Sequence, residues 1–210
     1  IFAGNFPYHV SLIAINGKSR DTLSMMVTDN IMVLKPNIYI YPTTKTNLCL
    51  EVGFPKGGSI TESIPAYNNG WCVDVDQNGA INNEFGYLFY ESIQPNLFQS
   101  SKGWCVAKTD LKSFFEKNMA QYHFSSKEIA DFTEYWIPRF TANEYYLIYP
   151  QTNNIIDEVI QLHFSIAPDH VNRLFYGVVG SSEKTTVEEP AIVQFNRGGF
   201  SVMEWGVFLK

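Results

Sequence analysis

The spacing of apolar residues changes twice along this chain, and that change limits the folds open to it. Leu48, Leu50 and Val52 alternate with Asn47, Cys49 and Glu51, the two-residue period of a half-buried strand. Trp71, Val73 and Val75 repeat that period, and residues 159–166 repeat it again late in the chain. Between these stretches Leu111, Phe114, Phe115, Met119 and Tyr122 recur at three- and four-residue spacing and fall on one helical face. Thr109 or Asp110 is placed to cap that helix, and His123-Phe124 breaks it. Ser125 and Glu128 stand at the spacing of a capping box. Ile129, Phe132 and Trp136 make the apolar face of a second helix, which Pro138 ends.

Strands surround this helical pair. The sequence predicts them over residues 6–15, 25–34, 38–41, 47–54, 59–64, 71–75, 85–92 and 103–107. After the helices they return at 145–149, 159–166, 172–179, 191–195 and 200–208. Asn16-Gly17, Gly57-Gly58, Asn69-Gly70 and Asn78-Gly79 supply turns between them. Strands, then helices, then strands is an α+β order, not a βαβ repeat. The fold predicted is mainly antiparallel β, sandwich-like, with a two-helix hairpin inserted at about residues 109–140. Residues 1–35 read as an N-terminal arm or hairpin, and residues 36–210 as a single β-rich domain. Gly70-Trp71-Cys72-Val73 recurs as Gly103-Trp104-Cys105-Val106, which suggests two strands with similar jobs in one sheet.

Charge narrows the function. The formal net charge of −6 and the lack of a Lys/Arg cluster argue against nucleic acid and against anionic membranes as partners. No apolar run is long enough to span a bilayer. The chain opens on Ile1 and not on Met, the start that a removed leader leaves, so the lack of a signal peptide does not point to the cytoplasm. The localisation expected is extracellular or cell surface, with the cytoplasm still open.

Lys35-Pro36-Asn37-Ile38-Tyr39-Ile40-Tyr41-Pro42 resembles a Lys-Pro-x-Ile-Tyr-Leu-Tyr-Pro signature found in a family of uncharacterised proteins. Further pieces follow in the family's order. They are Tyr67-Asn68-Asn69-Gly70-Trp71, Tyr87-Leu88-Phe89-Tyr90-Glu91, Asp131-Phe132 with Tyr135-Trp136-Ile137-Pro138-Arg139, Pro168-Asp169 with Arg173, and Gly199-Phe200-Ser201-Val202-Met203-Glu204-Trp205-Gly206. The resemblance covers about residues 35–210 and leaves out the N-terminal segment. It implies no activity, and the chain departs from the pattern at Cys72 and Cys105.

No catalytic or cofactor motif stands out, and no cofactor is expected. Cys49, Cys72 and Cys105 all lie in predicted strands and by alternation point away from the apolar side. A Cys72–Cys105 disulfide, which would imply an oxidising compartment, and three reduced cysteines both remain open. Asp74, Asp76 and Asn78 begin like a calcium loop, but the twelfth position is Phe85 where a glutamate belongs, so a hairpin turn is the stronger reading. His9, His123, His163 and His170 are scattered, with Asp169 beside the last as the one group able to orient a base. Arg139, Asp169, Arg173, Glu204 and Trp205, with Arg197, are the charged and aromatic members of the family-like pieces, able to line a site or to make buried ion pairs. Tyr87, Phe89 and Tyr90, and Tyr145, Tyr146 and Tyr149, form either an aromatic platform or core. Three functions follow as expectations. The first is a non-catalytic binding or self-assembling protein that adds its N-terminal arm to a neighbouring copy or another protein. The second is a carbohydrate-binding module with exposed rings. The third is a hydrolase-like enzyme whose charged residues converge in an open pocket.

Overall fold

The structure, a computed structural model, describes residues 8–27 and 29–210. Phe6 and Pro7, at the predicted start of the first strand, lie outside the described residues. So does the side chain of His9.

Three layers build the domain. A seven-stranded sheet forms the middle, in the order β5 (Ser59–Ile64), β7 (Leu88–Pro95), β3 (Asn30–Tyr41), β12 (Ser201–Leu209), β11 (His170–Ser181), β9 (Tyr145–Thr152), β8 (Trp104–Ala107). On one face lies a three-stranded sheet, β10 (Gln161–Phe164), β4 (Thr46–Gly53) and β6 (Trp71–Val75). Leu48, Leu50, Trp71, Val73 and Val75 on its inner side meet Ile38, Ile40, Leu88 and Val202 of the large sheet. The alternation that made β4 and β6 legible is therefore the alternation between this core and solvent. On the other face lie α1 (Leu111–Gln121) and α2 (Ser126–Trp136). Phe115, Met119, Phe132 and Trp136 pack there on Tyr39, Tyr176, Met203 and Trp205. Ser125 caps α2 as the sequence indicates: its hydroxyl accepts the Glu128 N–H, and the Glu128 carboxylate accepts the Ser125 N–H at 2.7 Å. A further helical turn, α3 (Asn153–Ile156), follows β9.

The α+β reading holds, with one exception to the antiparallel pattern. β11 and β12 run parallel, with Arg173 facing Glu204 and Leu174 facing Trp205. A parallel pair needs a crossover, and residues 182–200 supply it. The predicted strand at 191–195 lies inside that crossover and is not a strand. Phe195 instead buries its ring against Tyr122 and Phe124, while Val193 is exposed. The Gly-Trp-Cys-Val echo also separates: Cys72 lies on β6 of the small sheet, and Cys105 on β8 at the edge of the large one.

The N-terminal segment divides differently from the sequence reading. β1 (Tyr8–Asn16) and β2 (Ser19–Val27) pair antiparallel from end to end as a two-stranded sheet of their own, turning at Gly17. β3 then starts at Asn30, so the predicted strand over 25–34 is split between β2 and β3.

Candidate functional site

β3 is the interior strand on which the site is built, and it is not regular. Its register against β7 shifts between Val33 and Asn37, and that of β12 against β3 shifts between Trp205 and Val207. A third shift lies between Ile60 and Glu62, where β5 meets β7. Three neighbouring ladders are thus interrupted in one band across the sheet, the kind of irregularity that re-aims side chains. The cause at β3 is Pro36, which has no N–H to give a ladder. Gly206 opposite leaves room, since a Cβ there would lie 3.3 Å from Pro36 and 3.0 Å from the Phe175 ring. Lys35 takes φ +54°, a left-handed conformation that costs a non-glycine residue about 1–3 kcal/mol.

This kink sends Lys35 into a groove of about 470 Å³ on the helix-bearing face, where the helices leave β5, β7 and β3 uncovered. Its ammonium lies 4.5 Å from the ring centre of Phe89, 5.0 Å from that of Tyr87 and 5.2 Å from that of Tyr135. Its polar neighbours are Asn37 Oδ1 and Tyr87 Oη, both at 3.4 Å. Glu62, Ile64 and Glu84 complete the walls. Glu62 faces Glu91 across the β5–β7 ladder, a pairing of like charges that opposes folding. Burial, reinforced by Glu62, raises the Glu91 carboxyl above its ordinary 4.5, while the Lys35 main chain and charge pull the other way.

Glu84, Phe85 and Gly86 also wall an adjoining second lobe of about 260 Å³, bordered by Tyr41, Asn78, Asn83 and Lys127. Lys127 pairs with Asp131 at 3.0 Å and stands 5.3 Å from the Tyr39 ring centre and 5.8 Å from that of Tyr87. Tyr39 and Tyr87 meet edge to face, and the Tyr39 hydroxyl donates to Asp131 at 2.9 Å. Tyr87 is therefore held by a ring on one side and two ammonium groups. Beyond the second lobe, fully buried Glu128 accepts hydrogen bonds from Tyr41 at 2.7 Å and from both Arg197 terminal nitrogens at 2.8 and 3.0 Å.

The charged candidates named from sequence do not form an open pocket. Arg173 and Glu204 form an ion pair sealed between the two sheets, each 0 % exposed. Tyr90 donates to Glu204 at 2.8 Å, and Arg173 Nη1 reaches Asp157 at 2.6 Å and the Ile160 carbonyl. Burial alone would lower the Arg173 guanidinium; Glu204, Tyr90 and Asp157 outweigh it and hold it above its ordinary value. Trp205 is core on the opposite face. Asp169 clips a loop: its Oδ2 accepts the Phe200 N–H at 2.8 Å, beside Gly199 at φ +64°, where a Cβ would collide with that carboxylate. Arg139 lies on the surface, its guanidinium 3.6 Å from the Tyr135 ring centre.

The disulfide joins Cys49 to Cys72, not Cys72 to Cys105. Cys49 and Cys72 face each other directly on β4 and β6, with Cα atoms 4.0 Å apart, whereas Cys105 is free and its sulfur accepts the Thr185 N–H. Alternation showed which way the cysteines point; it could not show which strands are neighbours. Asp76 Oδ1 accepts the N–H groups of Asn78 and Ala80 and so holds the turn, while Asp74 accepts from Asn47 across the β4–β6 ladder. Among the described residues no group of three or more His, Cys, Asp or Glu is arranged to hold a metal ion. His163 is exposed on β10, and His123 Nδ1 lies 2.9 Å from the Phe195 carbonyl. No aromatic ring with a described side chain is fully exposed: Tyr90 and Tyr146 are core, Phe89 is 6 % exposed, and Tyr87, Tyr135 and Tyr145 are half-buried.

Sequence reasoning named Arg197 but not its partner Glu128, and missed Lys35, Glu62, Glu84 and Tyr135 as site residues. Its one usable signal was Lys35-Pro36, a proline in what is otherwise a central strand. No family model, curated protein or solved structure matches the chain.

Proposed function

We propose that this protein acts by binding and self-assembly and not by catalysis, outside the cell or at its surface, with the β1–β2 hairpin as the assembling element. The observation that carries this reading is the hairpin's exposed apolar surface. Leu12 and Leu23 are cross-strand partners on one face and are 67 % and 65 % exposed. Ile15, on the other face, is 71 % exposed. A two-stranded hairpin is marginally stable in water by itself, and its two outer edges, unpaired among the described residues, make it a template for another chain. Pairing with the open outer edge of β5 on a second copy gives both partners what they lack. The Cys49–Cys72 disulfide supports an oxidising compartment. Residues 35–210, which carry the resemblance to the uncharacterised family, are in this reading the unit being assembled.

Sedimentation velocity tests it. Deleting residues 1–28, which leaves β3 whole, converts an oligomer to a folded monomer. An unchanged oligomer after that deletion, or a full-length chain that stays monomeric at high concentration, overturns the proposal.

A further inference from the structure

The groove around Lys35 is independent of the hairpin, and from its chemistry we infer that it is a binding site for a short oligosaccharide. Three properties point to that class. Its walls are aromatic and already fixed: Tyr87 by Tyr39, Lys35 and Lys127, and Tyr135 by the Arg139 guanidinium stacked on it. Rings immobilised before binding lose little freedom on contact, and the parts of the half-buried Tyr87 and Tyr135 rings that Lys35, Lys127 and Arg139 leave uncovered offer apolar surface to the C–H groups of a sugar. Its polar groups are of mixed sign and short reach, with Lys35 as a donor, Glu62 and Glu84 as acceptors, and Asn78 and Asn83 as both. A chain of hydroxyl groups, each donor and acceptor, uses such a set. Finally, the lobes of about 470 and 260 Å³ adjoin at Glu84, Phe85 and Gly86, and together they offer room for a ligand of more than one ring.

The same inventory rejects the other small-molecule classes. A phosphate would face Glu62 and Glu84. A lipid tail would desolvate Lys35 and both glutamates. An organic cation would find its place beside Tyr87, Phe89 and Tyr135 taken, because the Lys35 ammonium lies there. Among the described residues Lys35 has no carboxylate partner, and its two polar neighbours at 3.4 Å are long for hydrogen bonds, so it keeps donor capacity for a hydroxyl. That capacity gives the left-handed backbone at Lys35 a use.

The test is a titration of the protein with a panel of neutral and acidic oligosaccharides, followed by calorimetry and intrinsic fluorescence. It is run on the full chain and on the chain lacking residues 1–28, so that the groove and the hairpin succeed or fail separately. Saturable binding of at least one glycan is expected in both. Tyr87→Ala and Tyr135→Ala should each weaken it at least about tenfold, and Lys35→Met by about threefold to tenfold, with near-ultraviolet circular dichroism showing which variants keep the fold. If Tyr87→Ala loses the fold, Tyr135→Ala and Glu84→Gln carry the test alone. The inference is overturned if no glycan binds at about 1 mM, if binding ignores the folded groove variants, or if inorganic phosphate or tetramethylammonium binds saturably where no glycan does.

Discussion

Two buried glutamates in this protein use the same partners in different surroundings. Glu204 takes an arginine, Arg173, and a tyrosine, Tyr90; Glu128 takes Arg197 and Tyr41. Both carboxylates are 0 % exposed. Glu204, however, sits mid-strand between two sheets, where among the described residues Arg173 is its compensating charge and is itself fully buried. Glu128 sits in the first turn of α2, where the Ser125 N–H and the positive end of the helix also serve it, and Arg197 is 28 % exposed. Identical chemistry is thus a sealed strut in one place and a half-open brace beside the groove in the other. What differs is how many substitutes each carboxylate has if its arginine is removed.

Replacing each arginine alike measures that difference. Arg173→Met leaves Glu204 charged and buried with the Tyr90 hydroxyl alone, and should cost about 3–5 kcal/mol in a urea denaturation series. Arg197→Met leaves Glu128 with Tyr41, Ser125 and the helix end, and should cost about 1–2 kcal/mol. Equal losses from the two variants would erase the distinction. Exchanging both Arg173 and Glu204 for methionine sharpens it, because removing the whole pair should cost less than Arg173→Met alone. Salt separates the pairs further. At about 1 M the half-exposed Arg197 pair weakens, so Arg197→Met should cost less there than at low salt, while the cost of Arg173→Met hardly moves.

The smallest effect belongs to a carboxylate with no ion pair. Glu91 is raised in the folded chain by burial and by Glu62. The folded state therefore holds its proton where the unfolded state has released it, so stability falls as pH rises from the ordinary value of 4.5 through the raised one. Glu91→Gln should remove that decline. Parallel pH curves for wild type and variant would show that Glu91 is not strained.

How much of this was legible follows from the range of each force. The capping box at Ser125 and Glu128 was readable because its two hydrogen bonds join residues three apart. β4 and β6 were readable because alternation reports which face is buried, and Asn16-Gly17 because a tight turn needs a left-handed residue. Arg173 and Glu204 drew notice as charged members of the family-like pieces, but their 31-residue separation gave no hint that a parallel crossover would set them side by side. Cys49 and Cys72 were read as pointing outward, and their pairing waited on β4 and β6 lying adjacent.

The sequence by itself thus determined most of the elements, and the buried faces of β4, β6 and the helices, because propensity, capping and hydrophobic period act over a few residues. Strand order, the parallel β11–β12 pair, the disulfide partner and the groove around Lys35 were decided by tertiary structure. Each depends on which distant segments share a ladder, and a local pattern carries no record of its neighbour. Pro36 marks the border between the two: the sequence shows that β3 must break there, and only the packed sheet shows that the break turns Lys35 toward Tyr87, Phe89 and Tyr135.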